Sequence, residues 1–254
     1  MRGIALYHVR FEDLGSFAPV LARAGCDVAY RHAGAAPLSE DEWCGADLGV
    51  VLGGPVGVGD TDAYPWLAAE RAGLALRLAL ARPTLGICLG AQLMAAALGG
   101  GVVRRLGQGD ALAMEVGWAP LDLAAGDGDG ALAALRGVPL LHWHGDNIVP
   151  PAGIAPLACT PGTPCQAFAL GRHALGLQFH AELEAAAIEE WLTGHAVELA
   201  RAGVDVAALR ADSARHGPAL AAAAGTLLRD WLAQLGDRAS ARDRVPSLGS
   251  DVIR

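Results

Sequence analysis

The sequence predicts an α/β fold: a doubly wound, mostly parallel β-sheet flanked by helices, with a small antiparallel β addition. Through residues 4–98, short apolar runs of strand length alternate with alanine-rich stretches of helical composition, the pattern of a parallel sheet with crossover helices. The run at 48–52 is continuously apolar, so both of its faces must be buried, as in such a sheet. The 254 residues are 53% hydrophobic and 18% charged, which suits one large core.

Strands and helices are predicted in alternation over the first part of the chain. The strands are residues 4–9, 28–30, 48–52 and 84–87, and the helices are residues 16–24, 65–81 and 91–98. Ser16 is placed to cap the first helix, and Pro83 stops the second. Because ligands bind at the carboxyl ends of the strands in this architecture, we expect a site among the residues that follow the third and fourth strands.

The middle of the chain changes character. Short β-type segments separated by Gly and Pro predict antiparallel pairing, and they are residues 102–105, 114–121, 140–144, 155–159, 166–170 and 174–179. Amphipathic helices at 185–202 and 218–235 are predicted to close the domain. We therefore expect one domain over residues 1–235, followed by a disordered tail at 236–254 that has few large apolar side chains.

Composition and charge exclude several classes of function. The formal net charge is −8 and the cations are not concentrated in any segment, which argues against a nucleic-acid or membrane partner. All 19 basic residues are arginines, so the chain has neither a Schiff-base lysine nor a lysine-dependent phosphate-binding loop. Five cysteines without C-x-x-C spacing favour neither a disulfide framework nor a zinc ribbon. We therefore expect a cytoplasmic protein without a cofactor or a bound metal.

Cys88 lies where a nucleophile is expected. Residues 86–90, GICLG, have the form G-x-C-x-G between a predicted strand and a predicted helix, which is the thiol analogue of a nucleophile elbow. The free N–H groups and the dipole of a helix start favour the thiolate, and the N–H of Leu89 is a natural donor to an oxyanion. The alternative is a structural cysteine, which is commonly buried.

A thiolate nucleophile needs a base, and the base needs a group that orients it. Residues 178–182, QFHAE, supply both after an apolar run. Residues two apart in an extended segment share a face, so Glu182 can accept a hydrogen bond from one ring nitrogen of His180 while the other nitrogen faces Cys88. A lone His-x-Glu is more often structural, but its combination with the elbow favours catalysis.

These two segments resemble those of the class I (triad) glutamine amidotransferases. The resemblance rests on residues 86–92, GICLGAQ, on residues 176–182, GLQFHAE, and on their separation. The stand-alone, GMP-synthase-like members are similar in a further set of segments: GGP at 53–55, YPWL at 64–67 and WHGD at 143–146. The likeness spans residues 4–195 and implies a flavodoxin-like α/β fold.

The resemblance also implies roles for individual residues. Cys88 would be the nucleophile, His180 the general base and acid, and Glu182 the group that orients His180. The residues that would hold the substrate or its oxyanion are Gly53, Gly54, Leu89, Gln92, Trp143, His144 and Asp146.

The implied activity is hydrolysis of the side-chain amide of L-glutamine through a γ-glutamyl thioester, giving glutamate and ammonia. Fewer than about 60 residues follow the matching region, too few for a synthetase domain, so the ammonia acceptor would belong to a separate synthetase subunit. A homo-oligomer is a further expectation that the sequence leaves open.

Two alternatives to glutamine hydrolysis remain. One is a γ-glutamyl hydrolase or peptidase that acts on a γ-glutamyl conjugate, and the other is a catalytically idle protein that binds glutamine as a regulatory subunit. Ala181 stands where the family usually has proline, which removes a restriction on φ and favours the idle alternative. The intact Cys88, His180 and Glu182 argue against it.

Other polar clusters have simpler interpretations. His142, His144 and Asp146 alternate and could share a metal ion, but a substrate pocket shaped by His144 and Asp146, with His142 structural, is the commoner arrangement. The glycine-rich segment 57–62 lacks the frame of a dinucleotide site and is predicted to be a mobile loop. The remaining side chains, predicted to be solvated or structural, are Asp60, Asp62, Cys26, Cys44, Cys159 and Cys165.

Overall fold

The computed structural model describes residues 1–105, 113–125, 130 and 132–242. The strands are β1 (Arg2–Tyr7), β2 (Asp27–His32), β3 (Leu48–Val51), β4 (Thr84–Ile87), β5 (Gly101–Arg104), β6 (Glu115–Ala119), β7 (Asp122–Leu123), β8 (Leu140–His144), β9 (Asp146–Val149), β10 (Ala158–Thr160), β11 (Thr163–Leu170) and β12 (Ala174–Leu177). The helices are α1 (Phe17–Arg23), α2 (Glu40–Gly45), α3 (Trp66–Ala79), α4 (Leu89–Ala97), α5 (Ile188–Gly194), α6 (Ala196–Ala202) and α7 (Val206–Arg242).

The main sheet has eight strands in the order β2-β1-β3-β4-β12-β11-β10-β7. The first five strands of that order pair in parallel and the last three are antiparallel, while β5 with β9 and β6 with β8 form two separate antiparallel pairs. The predicted fold class is confirmed. The predicted antiparallel pairing of β12 is found with β11, but β12 also pairs in parallel with β4, because it fills the next place in the buried parallel sheet.

Helices cover both faces of this sheet. On one face, α1 and α7 contribute Phe17, Leu21 and Trp231 to a core cluster with the inner strands. On the other face, α3 and α4 contribute Leu74 and Leu93 to a second cluster. A third, smaller cluster joins β8 to α5 and α6, and it lies beside the carboxyl end of β12. The site described below is built where these layers meet.

Several element boundaries differ from the prediction. Ser16 precedes α1, but its hydroxyl makes no capping hydrogen bond, because α1 begins directly after a loop that is held by backbone contacts. The predicted helix at 185–202 is a short 3₁₀ turn followed by α5 and α6, which break at His195. The last helix starts at Val206 rather than at Pro218 and carries that proline inside it.

The last helix extends beyond the predicted boundary at residue 235. The backbone of α7 continues to Arg242, seven residues further, and the division into one domain and a tail stays a prediction. Residues 243–254 lie outside the described residues, and their disorder stays a prediction. Within the described part of the chain, no helix is long and apolar enough to cross a membrane.

Helix α2 was not predicted from the sequence. This helix begins with a capping box, in which the Ser39 hydroxyl accepts from the backbone N–H of Glu42 and the Glu42 carboxylate accepts from the backbone N–H of Ser39. Its other end is held by the buried guanidinium of Arg77, which donates to the backbone oxygens of Trp43 and Ala46 at 2.5 and 3.1 Å. These bonds fix α2 against the edge of α3.

Candidate active site

The carboxyl ends of three adjacent parallel strands bring the sequence motifs together. Cys88 follows β4, Gly53 and Gly54 follow β3, and His180 and Glu182 follow β12. Because β3, β4 and β12 are consecutive neighbours in the sheet, residues far apart in the chain meet at one edge. The extended segment after β12 is anchored there by a hydrogen bond of 2.9 Å from the backbone N–H of His180 to the oxygen of Leu141 in β8.

Cys88 forms a strained turn between β4 and α4. Its backbone has φ 49° and ψ −107°, a conformation that L-residues with a side chain rarely adopt. The surrounding structure enforces this turn: a Cβ on Gly86 would lie 2.5 Å from Met94 Sδ, and one on Gly90 would lie 2.0 Å from the oxygen of Val51. Only glycine lets α4 pack this closely on β3 and β4, and Cys88 Sγ lies 3.7 Å from the backbone oxygen of Trp143 in β8.

His180 is held by Glu182 in a buried ion pair. The distance from His180 Nδ1 to Glu182 Oε1 is 2.7 Å, and both residues are at most 1% exposed. The carboxylate accepts a hydrogen bond from the Nδ1–H group, which leaves Nε2 as the nitrogen free to exchange a proton with Cys88. Within the described residues Nε2 has no hydrogen-bond partner. Geometry of this kind suits a general base.

The charges of this cluster shift the titration of its members. Burial lowers the pKa of His180, but the carboxylate of Glu182 and the neighbouring Cys88 outweigh burial and raise that pKa well above 6.5. Burial raises the pKa of the Cys88 thiol, and the neighbouring His180 opposes this rise. The raised pKa of His180 makes its imidazole a stronger acceptor for the thiol proton.

Two backbone N–H groups face the region around Cys88 without an acceptor. Within the described residues, neither the N–H of Gly54 nor that of Leu89 donates a hydrogen bond. His8 fixes the first of them, because its Nδ1 donates to the oxygen of Gly53 at 2.7 Å and so orients the peptide that carries the Gly54 N–H. Free donors of this type can hold a developing oxyanion.

A cavity of about 520 Å³ opens beside the sulfur of Cys88. The predicted site residues that line it are Cys88, His180, Gly54, Gln92, Trp143, His144 and Asp146. Glu182, Gly53 and Leu89 do not line it and lie directly behind this surface, where Glu182 holds His180 and the Leu89 side chain packs against Gly54. The structure therefore brings all ten predicted residues together.

His144 is fixed in one orientation on the cavity wall. Its Nδ1 donates to the backbone oxygen of Asp146 at 3.0 Å, and its Nε2 accepts from the side-chain amide of Gln166 at 3.3 Å. Burial lowers the pKa of His144 to about 4, although the Glu115 carboxylate opposes this shift. His144 is thus a neutral side chain near pH 7, with both ring nitrogens occupied.

The structure adds residues that the sequence did not single out. Gln178 donates to Cys88 Sγ at 3.6 Å and accepts from Gln92 at 3.2 Å, so it links two predicted residues. Glu12 and His195 line the cavity as a hydrogen-bonded pair of 3.0 Å. Glu12 follows β1 at the same sheet edge, a position that could have been found from the rule for strand ends, whereas nothing in the sequence pointed to His195.

The other predicted clusters are resolved differently. Among the described residues no group of three His, Cys, Asp or Glu is arranged to hold a metal ion, and His142 Nε2 donates instead to the oxygen of Ala119. Asp60, predicted to be solvated, accepts from the N–H of Gly57 at 2.8 Å and lines the cavity, while Asp62 is exposed. Cys26, Cys44, Cys159 and Cys165 are free cysteines that do not line the cavity.

Comparison with known proteins agrees with this geometry. The family model described as glutamine amidotransferase class-I matches residues 16–192. A curated relative, the glutamine amidotransferase-like protein YfeJ of Salmonella typhimurium, is 30% identical over 210 residues, which cover 80% of this chain and 84% of that protein. A GMP synthase (glutamine-hydrolyzing) of Leifsonia xyli is 40% identical over 108 residues, but these cover 40% of this chain and only 20% of that enzyme.

Solved structures show the same architecture. A glutamine amidotransferase from Thermotoga maritima superposes with a TM-score of 0.78 at 27% identity, covering 91% of this chain and 97% of the other. A glutamine amidotransferase from Methylobacillus flagellatus, at 24% identity and a TM-score of 0.79 over 91% of this chain and 94% of its own, shares the fold. The resemblance predicted from the two motifs is confirmed, and the chain belongs to the class I glutamine amidotransferase family.

Proposed function

We propose that this protein hydrolyses the side-chain amide of L-glutamine to glutamate and ammonia, with Cys88 as nucleophile, His180 as general base and acid, and Glu182 as the orienting group. The observation that carries the proposal is the strained turn at Cys88, which exposes a thiol to the same cavity as a histidine whose second nitrogen is held by a buried carboxylate. This arrangement has the roles and the order of a catalytic triad.

The reaction proceeds through a thioester. The proton of Cys88 passes to His180, and the thiolate attacks the amide carbon of glutamine, while the N–H groups of Gly54 and Leu89 hold the oxyanion. His180 gives the proton to the leaving nitrogen as the C–N bond breaks, and ammonia departs. Water then loses a proton to His180, adds to the γ-glutamyl thioester and releases glutamate as the C–S bond breaks.

The remaining predicted residues would hold the amino-acid end of glutamine. Gln92, Trp143 and His144 line the cavity on the side of β8 and α4. At the same end, Asp146 in β9 lies opposite Arg104 in β5, and both line the cavity. A carboxylate and a guanidinium side by side match the ammonium and carboxylate groups of an amino acid.

Replacement of the nucleophile tests this proposal. We expect Cys88→Ser to reduce release of glutamate from L-glutamine to background, and to abolish labelling by 6-diazo-5-oxo-L-norleucine as followed by mass spectrometry. Cys159→Ser is the matched control, because Cys159 is a free cysteine outside the cavity. Turnover that survives in Cys88→Ser would exclude the thioester mechanism, and an unlabelled Cys88 in the wild type would favour the idle alternative.

We propose that the ammonia serves a synthetase subunit, a role supported by the 40% identity over 108 residues to a glutamine-hydrolyzing GMP synthase. Ammonia delivery requires that subunit to cover the open cavity, so we expect glutamine hydrolysis to accelerate when it binds.

A cytoplasmic location is proposed on the five free cysteines, which suit a reducing compartment. The cavity itself favours a second candidate, a hydrolase of larger γ-glutamyl amides.

A further inference from the structure

The cavity continues past His180 along a wall that the proposed triad does not use. The ring of Trp191 packs edge-on against His180, with ring centres 4.7 Å apart, and His195 lies one turn further along the same helical segment. His195 Nε2 is 3.0 Å from Glu12 Oε1, and its Nδ1 is 3.6 Å from Glu198 Oε2. We call Glu12, His195 and Glu198 the acidic wall, and all three line the cavity.

Glu12 places a carboxylate oxygen beside the reacting groups. The residue is 3% exposed, and within the described part of the chain its Oε2 makes no hydrogen bond. Both Glu12 Oε2 and His180 Cε1 lie within 3.1 Å of the point that a Cβ on Gly53 would occupy. A carboxylate oxygen of a buried residue is therefore close to the imidazole that would protonate the leaving group.

This carboxylate works against the nucleophile in the free protein. Burial is the main cause of the raised pKa of the Cys88 thiol, and His180 opposes it. The charge of Glu12 raises that pKa further. The acidic wall holds two carboxylates around one imidazole, and Glu198 also accepts a hydrogen bond of 2.9 Å from Trp143 Nε1. A cation bound against the wall would remove this penalty and favour the thiolate at the moment of attack.

The acidic wall adjoins the place where a leaving group begins. Since His180 protonates the leaving nitrogen, a group attached to that nitrogen starts beside His180, and Trp191, which contacts both His180 and His195, connects this place to the wall. The cavity of about 520 Å³ has space for such an extension, because L-glutamine at protein-like packing density fills roughly 200 Å³. Indole rings at Trp143 and Trp191 flank the path, and their faces attract alkyl chains and cations.

We infer that the acidic wall is a leaving-group subsite for a cationic amine, so that the preferred substrates are γ-glutamyl amides of diamines or polyamines. The inference rests on the proposed Cys88 thioester mechanism and names its substrate class. The thiolate attacks the γ-carbonyl carbon, the C–N bond breaks as His180 protonates the amine nitrogen, and water hydrolyses the thioester to glutamate. The distal ammonium stays charged throughout and binds Glu12 and Glu198.

A matched pair of substrates tests the inference. γ-Glutamyl-1,4-diaminobutane and γ-glutamyl-pentylamine have leaving groups of similar length, and only the first ends in a cation. We expect the wild type to hydrolyse the cationic substrate with a kcat/KM about tenfold higher than the neutral one, as a charged hydrogen bond allows. Glu12→Gln and Glu198→Gln should each reduce this ratio severalfold, measured as glutamate released.

Controls separate this inference from the proposed function. Glu190→Gln changes an exposed glutamate of α5 outside the cavity and should keep the wild-type ratio. Glu198 is more exposed than Glu12, so its variant preserves the test if Glu12→Gln unfolds on a thermal melt.

Equal rates on both amides in the wild type would overturn the subsite and leave glutamine hydrolysis standing. Equal losses on L-glutamine and both amides in Glu12→Gln would assign the wall to the glutamyl ammonium instead. No hydrolysis of any γ-glutamyl compound would overturn both proposals.

Discussion

At the scale of single residues, contacts from a neighbouring loop hold the backbone of Glu182 in place of the proline that is absent at position 181. Ala181 lacks the fixed φ of the proline that the resemblance leads one to expect, yet Glu182 remains within 2.7 Å of His180. The N–H of Ser16 donates to the oxygen of Glu182 at 2.8 Å, and a Cβ on Gly15 would lie 2.1 Å from that oxygen. The loop between β1 and α1 therefore holds the backbone of Glu182, and Ala181 does not by itself favour an idle protein.

Glu182→Gln tests the orienting role at this scale. An amide can donate to Nδ1 as well as accept from it, so the variant no longer enforces the ring tautomer that leaves Nε2 free to accept the thiol proton. We expect kcat for L-glutamine to decrease roughly 10³-fold, with a much smaller change in KM. Glu184→Gln, an exposed neighbour on the same segment, is the control. An unchanged kcat in Glu182→Gln would remove Glu182 from the mechanism.

The same ion pair predicts a pH dependence of stability. Because the Glu182 carboxylate and Cys88 outweigh burial and raise the pKa of His180 in the folded state, the folded protein holds the proton more tightly than the unfolded chain. This contribution to the unfolding free energy is fully present below about pH 6.5 and is lost as the pH rises through the folded pKa. Urea titrations at about pH 6 and pH 9 should show a larger difference between wild type and Glu182→Gln at the lower pH. A larger difference at the higher pH would contradict the assigned shift.

The site residues that could be predicted from the sequence are those that belong to short motifs. Cys88, His180 and Glu182 follow strands directly, so a local pattern is enough to find them. Gln178 lies within the motif at residues 178–182, but its hydrogen bond to Cys88 depends on the distance between β4 and β12. His195 could not be predicted, since its partner Glu12 is 183 residues away and the two meet only when α5 and α6 fold against the β1 end.

At the scale of elements, the close packing of α4 on β3 decides where Cys88 sits. A Cβ on Gly90 would lie 2.0 Å from the oxygen of Val51 and 2.6 Å from its carbonyl carbon, both backbone atoms of β3. Backbone atoms cannot rotate away, so the helix must shift. We expect Gly90→Ala to lower the unfolding free energy by roughly 1–3 kcal/mol and to slow labelling of Cys88 by the glutamine analogue.

Gly45→Ala provides the matched control for this element. Gly45 ends α2, and a Cβ there meets nothing within 4 Å. The substitution should therefore leave stability within about 0.5 kcal/mol and leave labelling unchanged. A stable, fully labelled Gly90→Ala variant would show that the turn at Cys88 does not need the close contact with Val51.

The prediction of helices and strands succeeded where the hydrophobic pattern is strong, and it failed where tertiary contacts determine the secondary structure. The apolar runs that form β3, β4 and β8 are buried at every position. The predicted ends of these strands lie within one residue of the observed ends. The short, acidic α2 was missed although Ser39 and Glu42 carry a capping-box signal. The amphipathic pattern predicts a helix that begins at Pro218, whereas α7 continues through that proline while packed on α1 and β6.

At the scale of the whole molecule, the site is a surface feature on a sheet that two separate core clusters stabilise. The cluster under α1 and α7 includes both Trp231, which is 2% exposed, and Cys88, while the cluster under α3 and α4 includes Leu89, the first residue of α4. Trp231 does not line the cavity. Stability and catalysis should therefore be separable in this fold, because side chains far from the sheet edge contribute to the first and not to the second.

Trp231→Ala tests that separation. Removing a buried indole leaves a void between α7 and the sheet, so we expect the unfolding free energy to fall by about 3–5 kcal/mol. Glutamine turnover per folded molecule, measured well below the lowered melting temperature, should match the wild type, because β3, β4 and β12 still set the positions of Gly54, Cys88 and His180. Trp231→Phe keeps most of the apolar volume and should lose less stability with the same turnover. If turnover falls in proportion to stability in both variants, the sheet edge is coupled to the α7 core, and the site is less rigid than its buried strand ends indicate.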